Sequence, residues 1–142
     1  MRKGKILLAA LLVFTFLLGT FSEGFAADTK ISLSEVARAQ ALGILKGDEQ
    51  GNLHLDKPIT RAEALTLIVR ISGMEGAAEI MKGETKFTDV NSDAGLQWAT
   101  GYINLGVSQN IIGGYPDGTF RGNDQVSYAE MAKLILYAMN YG

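Results

Sequence analysis

The sequence predicts an all-α fold of two helix–loop–helix repeats with short extended arms, and three observations carry that prediction. The first is an internal repeat. A shift of roughly 67 residues lays Gly47 on Gly114, Gly51 on Gly118, Leu53 on Phe120, Ile59 on Val126, Thr60 on Ser127 and Glu63 on Glu130 without a gap. The second is a set of capping boxes, Ser32 with Glu35, Thr60 with Glu63 and Ser127 with Glu130. In each, the hydroxyl takes the third helical N–H and the carboxylate reaches back to the cap's own N–H. The third is the spacing after each box, where apolar residues recur at three- and four-residue intervals.

Composition narrows the class. Arg2, Lys3 and Lys5 precede an apolar run from Ile6 to Leu18 interrupted only by Thr15, and Gly24-Phe25-Ala26 offers the small residues that a signal peptidase reads. A signal peptide over residues 1–26 is therefore expected. The alternative is a retained anchor, although the run is shorter than the ~20 residues of a spanning helix. The absence of cysteine excludes a lipoprotein, disulfides and thiolate metal sites. Without Arg2, Lys3, Lys5 and Glu23, the 13 basic and 15 acidic residues become 10 and 14, a net charge near −4. That balance argues against nucleic acid or an anionic membrane as partner. Residues 27–142 suffice for one domain.

In chain order, the first helix is expected from the Ser32 box to about Leu45, with Leu33, Val36, Ala37, Ala41 and Ile44 on one face and a stop at Gly47. Residues 47–58 form a loop rich in Asp48, Asn52, His54 and Asp56. It is not an ordinary calcium loop, since Leu53 and Ile59 occupy the positions of the turn glycine and the bidentate acid counted from Asp48. The Thr60 box starts a second helix that is apolar over a broad arc, through Leu65, Leu67, Ile68 and Ile71, and ends at Gly73. Arg61 is its anomaly, because a cation at the first helical position opposes the helix dipole.

Residues 74–86 read as a glycine-punctuated linker with a helical turn near Ala77–Met81, so that repeat one spans about 32–73 and repeat two 87–140. Phe87-Thr88-Asp89-Val90 leads into a helix that Asp93 caps, with Trp98, Gly101, Tyr102 and Leu105 on one face and an end near Asn110. Tyr115-Pro116-Asp117-Gly118 is a tight turn, since Pro fixes one dihedral and Gly accepts a positive one. The last helix, about 128–140, is expected to bury Met131, Leu134, Ile135 and Ala138.

Phe87-Thr88-Asp89-Val90, Trp98-Ala99, Gly113-Gly114-Tyr115-Pro116-Asp117-Gly118-Thr119-Phe120 and Ile59-Thr60-Arg61-Ala62-Glu63 together resemble the S-layer homology (SLH) motif. The resemblance covers nearly all of residues 27–142. It implies helix–loop–helix units around a pseudo-threefold axis, here an incomplete bundle because two copies stand where the family usually has three. It also implies an exported, non-catalytic module that attaches to a secondary cell-wall polysaccharide, often bearing ketal-linked pyruvate, in a groove between repeats. The family's anion contact maps onto Arg61, whose fork suits a carboxylate, with the helix N-terminal N–H groups adding positive charge. Trp98 and Tyr115 offer flat faces to a sugar, or serve as core and turn aromatics. Gly114 and Asp117 complete the expected ligand-binding set, although Asp117 serves the turn first. Repeat two has Tyr128 at the arginine position, so its half-site lacks the clamp.

No cofactor or metal is expected. Two other readings stay open. One is a protein–protein adaptor, with a homo-oligomer or partner completing the threefold; the other is a hydrolase using acids such as Asp89 and Asp93, which sit where Asp is common for structural reasons.

Overall fold

The computed structural model describes residues 32–48 and 50–139. The expected signal peptide, and the end of the last helix beyond Met139, lie outside the described residues. The helices are α1 (Leu33–Ala41), α2 (Arg61–Ile71), α3 (Glu75–Ile80), α4 (Thr88–Asn91), a 3-10 helix (Ala94–Ala99), α5 (Thr100–Ser108) and α6 (Tyr128–Ala138). Among the described residues there is no strand, only one isolated antiparallel bridge between Thr60 and Gln125. The all-α expectation therefore holds.

The described residues from Ser34 onward form one compact unit with α2 at its centre. Ala62, Ala64, Leu65, Thr66, Ile68 and Val69 of α2 are buried against α5, α6, α3 and the 3-10 helix. The expected broad apolar arc is what lets one helix face so many neighbours. Phe87 and Phe120 complete the core, their rings 5.5 Å apart and tilted. Each buried aromatic of this kind contributes about 2–3 kcal/mol relative to exposure.

Both later capping boxes form as expected, Thr60 with Glu63 and Ser127 with Glu130. The turns repeat as well. Asp48 N donates to Asn52 O at 3.0 Å, and Tyr115 N donates to Thr119 O at 2.8 Å. Gly51 and Gly118 have φ of 84° and 80°, and His54 and Arg121 have 48° and 59°. The loops of the two repeats thus share these turns, although Gly47 lacks the positive φ of its counterpart Gly114.

Four local expectations need correction. Helix α1 ends at Ala41 rather than near Leu45, because Gly43, at φ 70°, takes the left-handed stop four residues before Gly47. Its apolar face is not packed either: α1 buries no residue. The helix after Asp93 begins as a 3-10 segment through Ala99. With three residues per turn rather than 3.6, that segment carries Trp98 off the buried face of Gly101, Tyr102 and Leu105 and leaves it 45% exposed. In α6, Leu134 is buried but Ile135 is 45% exposed.

Candidate functional site

The joint between repeats is built on Arg61. Its Nη1 lies 2.5 Å from Glu130 Oε1 of the other repeat, and its side chain is 11% exposed. The Tyr115 hydroxyl donates to the same oxygen at 2.6 Å. The second oxygen of Glu130 accepts from the Ser127 backbone N–H at 2.9 Å and from its hydroxyl at 2.8 Å. One carboxylate therefore caps its own helix and clamps the arginine of the other repeat. These donors, the Tyr115 hydroxyl first, hold the Glu130 carboxyl down at about 2. In return, the carboxylate raises the phenol of Tyr115.

Two aromatic rings enclose the guanidinium. Its carbon lies 5.0 Å from the Tyr115 centroid and 5.1 Å from that of Phe120, within cation–π range. Its Nε is buried without a partner among the described residues. A second guanidinium, Arg121, lies 4.1 Å from the same Tyr115 ring, and it is 44% exposed. The residue expected as the anion contact is thus an inward arginine, with an outward one on the same ring.

The start of α2 is likewise engaged. Arg61 N donates to Asp124 O at 2.8 Å, Ala62 N to Gly122 O at 3.0 Å and Glu63 N to the Thr60 hydroxyl at 3.3 Å. The N–H groups expected to add charge for a ligand instead bind the arm of repeat two. That arm is pinned in turn by Asp89, whose carboxylate accepts from Phe120 N at 3.0 Å and Arg121 N at 2.8 Å. Asp93 accepts from Gly95 N and from the Asn123 amide. Both acids weighed for hydrolysis thus hold the chain in shape.

The remaining expected residues fall into place as follows. Asp117 accepts from the backbone N–H and hydroxyl of Thr119 and pairs with Arg121 at 2.7 Å, which holds its carboxyl below the usual range. Gly114, at φ 82°, faces the core: a Cβ there would come within 2.2 Å of the Phe87 ring. Trp98 stands in a different cluster, its ring 6.4 Å from Tyr102. The Tyr102 hydroxyl donates to Glu75, which also holds Lys46 at 2.7 Å and Arg70 at 3.0 Å. Lys46 first, then the Tyr102 hydroxyl, lower the Glu75 carboxyl to about 2. Sequence reasoning missed Phe120, Arg121, Arg70 and Glu75: Phe120 and Glu75 have partners about 30 residues away in Asp89, Lys46 and Tyr102, whereas Arg121 pairs with Asp117 only four residues before it. Only the adjacency of Arg121 to the turn could have drawn attention to it.

A separate shallow cavity of about 470 Å³ is lined by Met81, Lys82, Gly83, Glu84, Lys86 and Asn104, among others, and by none of the expected site residues. Among the described residues, no three metal-ligating side chains converge.

Comparison with known proteins decides the family. The model of the S-layer homology domain matches residues 27–65 and 86–132. The chain belongs to the S-layer homology domain family. The first matched segment contains Arg61 and the second Glu130, so the Arg61–Glu130 pair connects the two. Among curated proteins, the chain is 41% identical over 106 residues to a surface layer protein of Brevibacillus choshinensis, covering 75% of this chain and 9% of that protein. It is 39% identical over 106 residues to the middle cell wall protein of Brevibacillus brevis, covering 75% of this chain and 10% of the other. A cell surface protein of Thermoanaerobacter kivui is 32% identical over 150 residues, covering 99% of this chain and 19% of its own length. The chain thus spans less than a fifth of each of these relatives. An S-layer homology domain with such relatives belongs with exported, cell-wall-associated proteins, and the family's role is structural rather than catalytic.

Proposed function

We propose that this S-layer homology chain attaches to the bacterial cell wall by binding an anionic secondary polysaccharide, possessing a carboxylate such as a pyruvate ketal, at the joint between its repeats. The observation that carries this reading is the pair of guanidiniums on the Tyr115 ring, Arg61 inward and Arg121 outward. A carboxylate on a sugar is met by a guanidinium fork with two charge-assisted bonds. Arg121 is accessible, and its exposed pair with Asp117 contributes little stability, so exchange of that carboxylate for a ligand's costs little. Arg61 stands on the same ring, with a buried Nε that lacks an acceptor among the described residues. Trp98, half-exposed in the other cluster, offers a second flat face for sugar C–H surfaces.

The test mixes the purified chain with wall fragments before and after the secondary polymer is stripped. Sedimentation with intact walls alone is expected, and equal sedimentation with both refutes the proposal. Arg121→Ala should weaken binding by about 1.5–3 kcal/mol if a charged hydrogen-bonded contact is lost, with the fold intact because the side chain is exposed. Arg61→Ala should weaken binding by a similar amount and also loosen the joint.

A further inference from the structure

Each repeat carries two halves of one kind of contact, and the chain uses only one pair of them. The used pair joins the helix start of repeat one to the arm of repeat two. Arg61 N and Ala62 N donate to Asp124 O and Gly122 O, Thr60 bridges Gln125, and the Arg61 guanidinium sits on Glu130.

Among the described residues, the other two halves have no partner. At the helix start of repeat two, the N–H groups of Tyr128 and Ala129 bond to nothing among the described residues, and Tyr128 is 98% exposed. At the arm of repeat one, the carbonyls of Leu55 and Lys57, which correspond to Gly122 and Asp124, accept nothing there either, and Leu55 is 57% exposed. This arm nonetheless has the backbone of the one in use. Lys57 N donates to His54 O at 2.9 Å as Asp124 N does to Arg121 O at 3.2 Å, and His54 and Arg121 both have positive φ. Glu63 matches as well: one oxygen caps Thr60 N at 2.8 Å, and the other takes no partner among the described residues, whereas the corresponding oxygen of Glu130 holds Arg61 and Tyr115.

We infer that the chain binds a second copy of itself head to tail, with the Tyr128 helix start of one copy seated on the Leu55–Lys57 arm and Glu63 of the next. A second copy is the occupant because the same chain carries both unused halves, and they are complementary: two N–H donors face two carbonyls, and the Tyr128 hydroxyl faces the free oxygen of Glu63. Such a contact is heterologous, so it closes into a ring or extends, according to the rotation between copies. It does not depend on the polysaccharide reading, since Tyr128 and Leu55 take no part in the Arg61 and Arg121 joint.

Sedimentation velocity of the purified chain over a wide concentration range tests the inference. The wild type is expected to pass from one chain to multiples of it. Tyr128→Arg restores the cation that repeat one has and should lower the dissociation constant at least about tenfold, while Tyr128→Glu places like charge against Glu63 and should raise it by as much. Both variants should fold, because the side chain is exposed, and the acid suits a helix start. A single-chain mass for the wild type throughout, or three indistinguishable proteins, overturns the inference. The chain has no cysteine, so Tyr128→Cys and Leu55→Cys provide a clean crosslink. A disulfide formed between the two variants, and in neither alone, supports the contact, and an oxidised mixture without it overturns it.

Discussion

Arg61 and Glu130, 69 residues apart in the chain and each in the first turn of its helix, form a single ion pair, 2.5 Å between Nη1 and Oε1. The pair therefore locks the relative placement of α2 and α6. With side chains 11% and 27% exposed, neither charge is fully hydrated. Removing one leaves the other partly buried and unpaired, which costs more than the intact pair contributes. Arg61→Ala should therefore destabilise the fold by about 2–4 kcal/mol, part of it from the lost packing on Tyr115 and Phe120. The double-mutant cycle with Glu130→Gln should give a coupling of about 1–3 kcal/mol in urea unfolding. Additive single effects would show that the contact does not hold the repeats together.

What the sequence made legible was what depends on near neighbours. The Thr60–Glu63 and Ser127–Glu130 boxes, the turn at Gly118 and the left-handed Asn110 all rest on residues within a few positions of each other, and each appears as expected. The face of Trp98 was misread because a 3-10 segment changes the angular step per residue, and nothing at Ala94–Ala99 announces that choice. The occupation of Arg61 was hidden for a different reason. Its rival for a ligand carboxylate is a carboxylate in the other repeat, and Glu130 already had a complete local explanation as a cap. The family pattern pointed to Arg61 and the Gly114–Asp117 loop, which the structure brings together at the Tyr115 ring, but gave no sign of Arg121 as the exposed cation on that ring.

Acid should loosen the joint in a defined window. The carboxyls of Glu130 and Glu75 are lowered from 4.5 to about 2 in the folded chain. The unfolded chain therefore takes up these protons first, so the stability they provide is full above the unfolded value and drains away as pH falls toward the folded one. Urea midpoints should decline between about pH 5 and about pH 2. Glu130→Gln should make that decline shallower, because one of the linked protons is gone. A variant curve parallel to the wild type would remove Glu130 from the account.

Two glycines of the same loop separate backbone strain from collision. Gly118 has φ 80° with open space where a Cβ would go, whereas Gly114 has φ 82° with the Phe87 ring 2.2 Å away. Gly118→Ala should cost about 1 kcal/mol for the left-handed backbone alone. Gly114→Ala should cost at least about 2–3 kcal/mol, since the ring lies in the packed core and must shift. Thermal melts of the two variants decide it, and similar losses would mean that Phe87 yields freely.

Trp98 tests whether the second cluster belongs to the wall-binding surface. A half-exposed tryptophan touching Tyr102 has some structural value, so Trp98→Ala should cost about 1–2 kcal/mol of stability, and the protein should remain folded. If its open face meets sugar C–H surfaces, wall sedimentation should fall roughly tenfold in that variant. Trp98→Phe keeps a flat apolar ring and should recover most of the binding, whereas Trp98→Leu has comparable hydrophobicity without the ring and should not. That contrast matters because loss of stability alone would depress the alanine and leucine variants without regard to ring shape. Equal binding by the phenylalanine and leucine variants would confine wall attachment to the Arg61 and Arg121 joint and leave Trp98 as a packing residue for Tyr102.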